Sequence, residues 1–249
     1  MSQEIFVEPR AVELDDCHFY HVMDLPGIGQ VGVAWDLRNG VDQYLGGVDL
    51  AGKRVLEVGP ASGFLTMEME KRGADVVAVE LPDDPGWDVV PYPASVREPA
   101  MGPRREVMRK LKNSFWFTHA AFGLKAKLIY EDIGRLPPSL GRFDVAVIAA
   151  VLLHSSNPLR IVAECAARAE QLIITDLYYP DLEGSPVLRA HPTPENKELG
   201  RWWDLSTDLL TQFLRVMGFS SITKTVNGGY LHTGTAYEFF TLVTSGRGE

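Results

Sequence analysis

Acidic residues and glycines at the ends of apolar runs are the first groups in this chain with chemistry to offer. The string VLEVGPASG, residues 55–63, closes a β-branched run with Gly59 and continues as E-x-G-x-x-x-G into a helix-like segment. A glycine at that point lets a ligand approach the backbone, and the N–H groups at the start of the next helix have no intrahelical partner. Neither the dinucleotide spacing G-x-G-x-x-G nor the lysine of a phosphate-binding loop is present, which argues against NAD and ATP. Glu80 follows Gly59 by 21 residues, at the end of the next apolar run, where a carboxylate can accept hydrogen bonds from both hydroxyls of a ribose. Asp132 ends a third run as Y-E-D-I. A solvated strand end is the other reading of Glu80, but three such ends together favour a nucleoside ligand.

These groups need a scaffold that brings strand ends to one edge, and the periodicity supplies it. KRVLEVG (53–59), DVVAVE (75–80), KLIYED (127–132), FDVAVIAA (143–150) and QLIITDL (171–177) read as buried strands. FLTMEMEKRG (64–73) and PLRIVAECAARAE (158–170) read as helices, the second with proline in its first turn. SITKTV and AYEFFTLVTS, joined through NGGYLHTGT, predict a closing antiparallel pair. The expectation is an α/β, Rossmann-like, doubly wound sheet of seven strands, mostly parallel with an antiparallel last strand. Two stretches interrupt the rhythm. Residues 81 to about 122 open as a Pro/Asp/Gly-rich loop and become helical through REVMRKLKNSFWFTHAAFG, and residues 178–205 hold four prolines and the pair Trp202 and Trp203 before a helix over 206–217. The predicted organisation is one domain: an N-terminal cap segment (1–50), a ligand-binding core (51–177), a lid-like insertion (178–205), and a closing helix with two strands (206–249).

Composition narrows the setting. The 249 residues are 45% apolar, enough for a packed core, and the longest apolar run, VAVIAAVLL (145–153), is nine residues. A membrane-spanning helix needs about 20. The N-terminus MSQEIFVEPR has no apolar signal core, and two cysteines, Cys17 and Cys165, give neither a disulfide framework nor zinc spacing, so a cytoplasmic location is expected. A net charge of −9 argues against a nucleic-acid partner. Homo-oligomerisation stays open.

VLEVGPASG, then VVAVEL, YEDI and FDVAVIAAVLLH, resembles the ordered motifs of class I S-adenosylmethionine-dependent methyltransferases across roughly residues 51–177. The resemblance implies S-adenosylmethionine as cofactor and S-adenosylhomocysteine as its product. It places Glu57 and Gly59 around the methionine moiety, with Pro60, Ala61 and Gly63 completing the turn and Ala150 at the fourth strand's end. It also places Glu80 on the ribose, Asp132 on the adenine amino group, and Leu81 and Ile133 against the ring. Ala61 stands where many members have glycine, which narrows the turn slightly. FYHVMDLPGIGQVGVAWDLR (19–38) with LHSSNPL (153–159) is similar to a branch containing the bacterial tRNA wobble-uridine methyl and carboxymethyl transferases and many small-molecule methyltransferases. That branch tends to have tyrosine where this chain has Leu153. Trp35 and Arg38 are candidates to close over the cofactor, Arg38 offered to its carboxylate. A surface salt bridge is the other reading of Arg38.

Methyl transfer from a sulfonium is an in-line displacement, so the protein positions the acceptor and, where needed, takes its proton. His154, directly after the fourth strand at the carboxyl edge, is the first candidate base, against a role in capping the next helix. His119 is the second. Trp116 and His119, three apart on one helix face, are candidates to line an acceptor pocket with Trp87, Tyr92 and Trp203, whereas Phe115 and Phe117 read as core. The basic run through Arg97, Arg104, Arg105, Arg109, Lys110 and Lys112 reads as a solvated helix face or a site for an anionic acceptor or RNA. His18 and His21 have a spacing that suits a metal on a helix, but no carboxylate pattern completes a site, and no metal is expected. The favoured expectation is a methyltransferase acting at oxygen or nitrogen of a small molecule, in natural-product or other specialised metabolism. Its rivals are a tRNA wobble-uridine-type enzyme and a non-catalytic nucleoside-binding module.

Overall fold

The structure is a computed structural model in which residues 5–83 and 88–247 are described. The N-terminal segment contributes β1 (Met23–Leu25), β2 (Gly29–Val31), β3 (Trp35–Asp36) and the single-turn α1 (Val41–Tyr44). Next come β4 (Arg54–Val58), α2 (Phe64–Lys71), β5 (Asp75–Glu80), α3 (Ala94–Phe122), β6 (Lys127–Tyr130), β7 (Phe143–Ala149), α4 (Pro158–Arg168) and β8 (Ala169–Leu177). The chain then forms β9 (Leu188–Ala190), β10 (Trp203–Leu205), α5 (Thr207–Val216), β11 (Phe219–His232) and β12 (Thr235–Arg247).

One sheet of eight strands, in the order β3-β11-β12-β8-β7-β4-β5-β6, organises the molecule. Strands β6, β5, β4, β7 and β8 pair in parallel. They read as continuous apolar runs because helices cover both faces. β4 lies between β5 and β7, so the direction of winding reverses there, and the carboxyl edge at that point is where such sheets open a ligand crevice. Helix α4 starts at Pro158 with Asn157 Oδ1 accepting from the Arg160 amide, and it buries Ile161, Val162 and Cys165. Helix α5 is capped by Ser206 and buries Leu210 and Leu214 completely. Each such side chain is worth about 1.5–3 kcal/mol by area.

Three sequence expectations change. The sheet has eight strands, because Trp35 and Asp36 pair with His232 and Leu231, and a two-residue strand carries no periodicity to read. The closing strands are 14 and 13 residues long. The glycines of NGGYLHTGT make a register shift between Asn227 and Tyr230, and the reversal falls between His232 and Thr235. Helix α3 begins at Ala94 and contains Pro99 and Pro103, both exposed. They are four apart, so the carbonyl that Pro103 cannot bond is that of Pro99, on the solvent side. Among the described residues no helix is long and apolar enough to cross a membrane.

Candidate active site

The first turn after β4 is built for close approach. Gly59 has φ +70, and a Cβ there would stand 2.8 Å from Val151 Cγ2, so the turn after β7 closes on bare backbone. Pro60 is buried behind it, and Gly63, at φ +83, caps α2. Ala61 and Ala150 adopt left-handed backbone at φ 50 and 51, a region that disfavours a Cβ. Both flank the same edge, and strain of this kind collects at ligand sites. The glycine common at the Ala61 position in the resembling family would adopt that conformation freely.

Two buried carboxylates support this turn. Glu57, 2% exposed, accepts a 2.5 Å hydrogen bond from Thr66 Oγ1, which holds it beneath the turn. Burial pushes its pKa up to about 8; the Thr66 bond opposes this and the charges of Glu80 and Glu70 add to it. Glu80, 8% exposed, accepts from the Leu81 amide at 2.8 Å. Burial raises its pKa, while the Leu81 amide, the Lys112 ammonium and the Ala61 amide pull the other way. Asp132 accepts from the Gly134 amide at 2.9 Å and keeps 61% of its side chain exposed, 4.0 Å from Arg160.

A cavity of about 370 Å³ opens at this edge, lined at one end by Leu81, Asp132 and Ile133 and at the other by Val151, His154 and Arg160. His154 Nδ1 is hydrogen-bonded to the Gly200 carbonyl. A carbonyl oxygen only accepts, so Nδ1 carries the proton and Nε2 keeps a lone pair. Desolvation by the surrounding segments lowers the pKa of this imidazole, as do Arg104 and Arg201; the Gly200 bond and Glu198 oppose them, and an exposed edge still meets the cavity. The Gly200 carbonyl belongs to the 178–205 stretch, whose β9–β10 hairpin stands over the turn at Leu152–His154. Trp202 donates from its backbone to Leu153 and from its indole to the Asp88 carbonyl. Trp203, half-buried, donates its indole N–H to the carbonyl of Ser156 at 3.4 Å; Ser156 lines the cavity, and Trp203 is not among its lining residues.

Several sequence candidates are not brought into the cavity. His119 Nε2 donates to Ala126 O at 3.1 Å, just before β6 begins, which is the amino edge of the sheet. Trp116, 1% exposed, is core against Ala78, Phe115 and Leu128. Their shared helix face was legible, but α3 runs antiparallel to the strands, so its later turns descend away from the carboxyl edge. Tyr92 staples the two irregular stretches, its hydroxyl 2.8 Å from Thr193 O and 2.9 Å from Asn196 Oδ1. Arg38 is engaged by Asp24 at 2.8 Å and Asp36 at 2.7 Å, the salt-bridge reading. Trp35 donates to Tyr20 OH at 2.9 Å and packs on Phe239 and Tyr237. Trp87 lies outside the described residues. His18 and His21 sit on irregular chain, not a helix, and among the described residues no group of three metal-ligating side chains gathers. Sequence reasoning missed Asp176, which ends QLIITD at the same sheet edge; the strand-end rule that found Glu80 and Asp132 would have found it.

No family model matches the chain. It is 27% identical over 180 residues to the tRNA U34 carboxymethyltransferase of Stutzerimonas stutzeri, a match over 70% of this chain and 48% of that protein. It is also 27% identical over 128 residues to the magnesium-protoporphyrin O-methyltransferase of Rhodobacter capsulatus, over 51% and 45% of the two chains. The chain therefore spans about half the length of these curated relatives. Among solved structures it resembles the N-terminal domain of EvdMO1 with S-adenosylhomocysteine bound, at 18% identity and TM-score 0.53, covering 84% of this chain and 79% of that one. The fold is the Rossmann-like fold of class I methyltransferases, with added antiparallel strands at one edge.

Proposed function

We propose that this protein binds S-adenosylmethionine and transfers its methyl group to an oxygen or nitrogen of a small molecule. The observation that carries the reading is the cavity at the β4/β7 switch point, which joins a nucleoside-type end at Leu81, Asp132 and Ile133 to a base-type end at His154. The turn fits the cofactor: Gly59 leaves backbone bare, Glu80 offers a carboxylate to ribose hydroxyls, and Leu81 and Ile133 offer apolar faces to a purine. When bound, the cofactor supplies a methyl group on a sulfonium, whose electron pair returns to sulfur on transfer. His154 takes the acceptor's proton at Nε2, the nitrogen that the Gly200 bond leaves bare. The β9–β10 hairpin and part of the N-terminal 40 residues act as the cover that excludes water. The protein works in the cytoplasm on its small-molecule acceptor.

Calorimetric titration of S-adenosylmethionine and S-adenosylhomocysteine into the bare protein is the direct check, and saturable binding of both is expected. A tRNA acceptor is the second reading, favoured by the 180-residue match to a tRNA U34 carboxymethyltransferase. The net charge of −9 counts against it. Salt-dependent retention of bulk tRNA, with methyl incorporation, would establish the second reading; methylation within a small-molecule acceptor screen would establish the first.

A further inference from the structure

Beneath the β9–β10 hairpin lies a charged cluster that the methyl-transfer reading does not use. Asp176, near the end of β8, is 1% exposed. Thr175 before it donates to the Tyr44 carbonyl on the α1 side of the sheet, so by strand alternation Asp176 faces the other side, toward the hairpin. Its Oδ1 accepts from the Leu177 amide at 2.8 Å, whereas Oδ2 is buried without a hydrogen-bond partner. Arg201 is among the charges that act on the Asp176 carboxyl. One terminal nitrogen bonds Asp204 Oδ1 at 2.7 Å and also Tyr179 OH, but its Nε is buried and unpartnered. Two buried orphans of opposite polarity in one cluster are expensive in a protein interior unless a polar group meets them.

The cluster adjoins the turn that carries His154. The backbone amide of Leu153, the residue before His154, is one of the groups acting on the Asp176 carboxyl, and β10 packs on both β8 and the Leu152–His154 turn. Cofactor-type groups lie over β4 and β5, and Asp176 lies two strands away, beyond β7.

We propose that Asp176 Oδ2 and Arg201 Nε together hold a hydroxyl group of the methyl acceptor. The hydroxyl donates its proton to the carboxylate in a hydrogen bond and accepts one from the guanidinium, so a single neutral group satisfies both orphans. An ammonium would meet Arg201 as a like charge, and a carboxylate would meet Asp176 and Asp204. The acceptor is thus an alcohol or phenol at this point. The inference rests on the methyltransferase reading of the site and adds the chemical class of its acceptor. Burial pushes the Asp176 pKa up to about 7, with Arg201 and the Leu177 and Leu153 amides opposing and Asp204 adding. Tyr20, Tyr44 and Tyr179 are the other titratable groups around it. A hydrogen-bond donor arriving from the acceptor favours the ionised form.

The test uses the full chain loaded with S-adenosylhomocysteine and follows ligand signals by saturation-transfer NMR. The probes are phenol, benzyl alcohol and cyclohexanol, with their methyl ethers and benzylamine as controls. At least one hydroxyl compound is expected to bind, its methyl ether about 10-fold or more weakly. Asp176→Asn retains the oxygen that accepts from Leu177 and replaces only the orphan, so it is expected to fold, to keep cofactor affinity within about 2-fold, and to reduce hydroxyl binding to the level of the ether. Arg201→Lys should do the same from the opposite side. Equal binding of ethers, preference for benzylamine, retained binding by Asp176→Asn, loss of cofactor binding by that variant, or no binding by any hydroxyl compound each overturns the assignment. Failure of S-adenosylhomocysteine to bind the unaltered protein overturns instead the reading of the cofactor site.

Discussion

At Glu80 a buried carboxylate gives one oxygen to the Leu81 amide at 2.8 Å and stands at the end of β5 beside the strained Ala61. If it also takes the ribose hydroxyls, Glu80→Ala removes charge-assisted hydrogen bonds and should weaken cofactor binding by about 1.5–3 kcal/mol. Titration calorimetry on a variant shown to be folded measures this, and an unchanged dissociation constant rejects the role. His154 belongs to the other end of the cavity. His154→Ala should leave cofactor affinity nearly intact and lower turnover by roughly 100- to 10,000-fold, the range for a lost proton-transfer partner. Its lowered pKa keeps the imidazole neutral at physiological pH. The wild-type rate should therefore rise with pH through a value below the usual 6.5 and then level, and the variant should lose that limb.

Ser206 shows what the elements contribute. Its hydroxyl accepts from the Leu209 amide at 3.2 Å, capping α5, and from the Val187 amide at 2.9 Å, fastening the start of β9. It is 2% exposed, and Ser206→Ala removes the one buried acceptor that the Leu209 and Val187 amides share. A loss of about 1–2 kcal/mol in denaturant unfolding is expected, the upper part of the range for a cap. Amide exchange should quicken in 187–190 more than in α5, whose other end is anchored by Leu210 and Leu214. Uniform quickening through the molecule would mean that Ser206 does not couple the cap to the hairpin. The cap was legible, since serine ahead of an apolar 3.6 period marks a helix start. The second partner was not, because Val187 is 19 residues away.

Across the whole molecule, buried titratable groups make the stability of the bare protein depend on pH. Glu57 and Asp176 hold their protons up to about 8 and about 7, well above the usual 4.5 and 3.8, so the folded state binds more protons than the unfolded one and loses stability as pH rises through that range. His21 is fully enclosed and burial lowers its pKa to about 4, so its contribution is lost as pH falls from about 6.5 to 4. The two carboxyls outweigh the one histidine, so thermal and denaturant unfolding should show stability falling from about pH 5 to pH 8, most steeply just above pH 6.5 where His21 no longer offsets them, by about 1.4 kcal/mol per pH unit for each proton the folded state holds in excess. Glu57→Gln, which still accepts from Thr66, should flatten the alkaline side; an unaltered slope would show that Glu57 is already ionised in the folded state. The sequence by itself determined the strand–turn–helix order, the position of Gly59 and the carboxylates Glu80 and Asp132 at strand ends, because periods of 2 and 3.6 and the punctuation between them are written in neighbouring residues. Only the tertiary structure decided that His119 and Trp116 descend to the far edge, that Trp35 adds an eighth strand, and that Arg201 returns to the Tyr179 hydroxyl. Those outcomes depend on the direction in which a helix crosses the sheet and on contacts between residues far apart in sequence, neither of which leaves a local period to read.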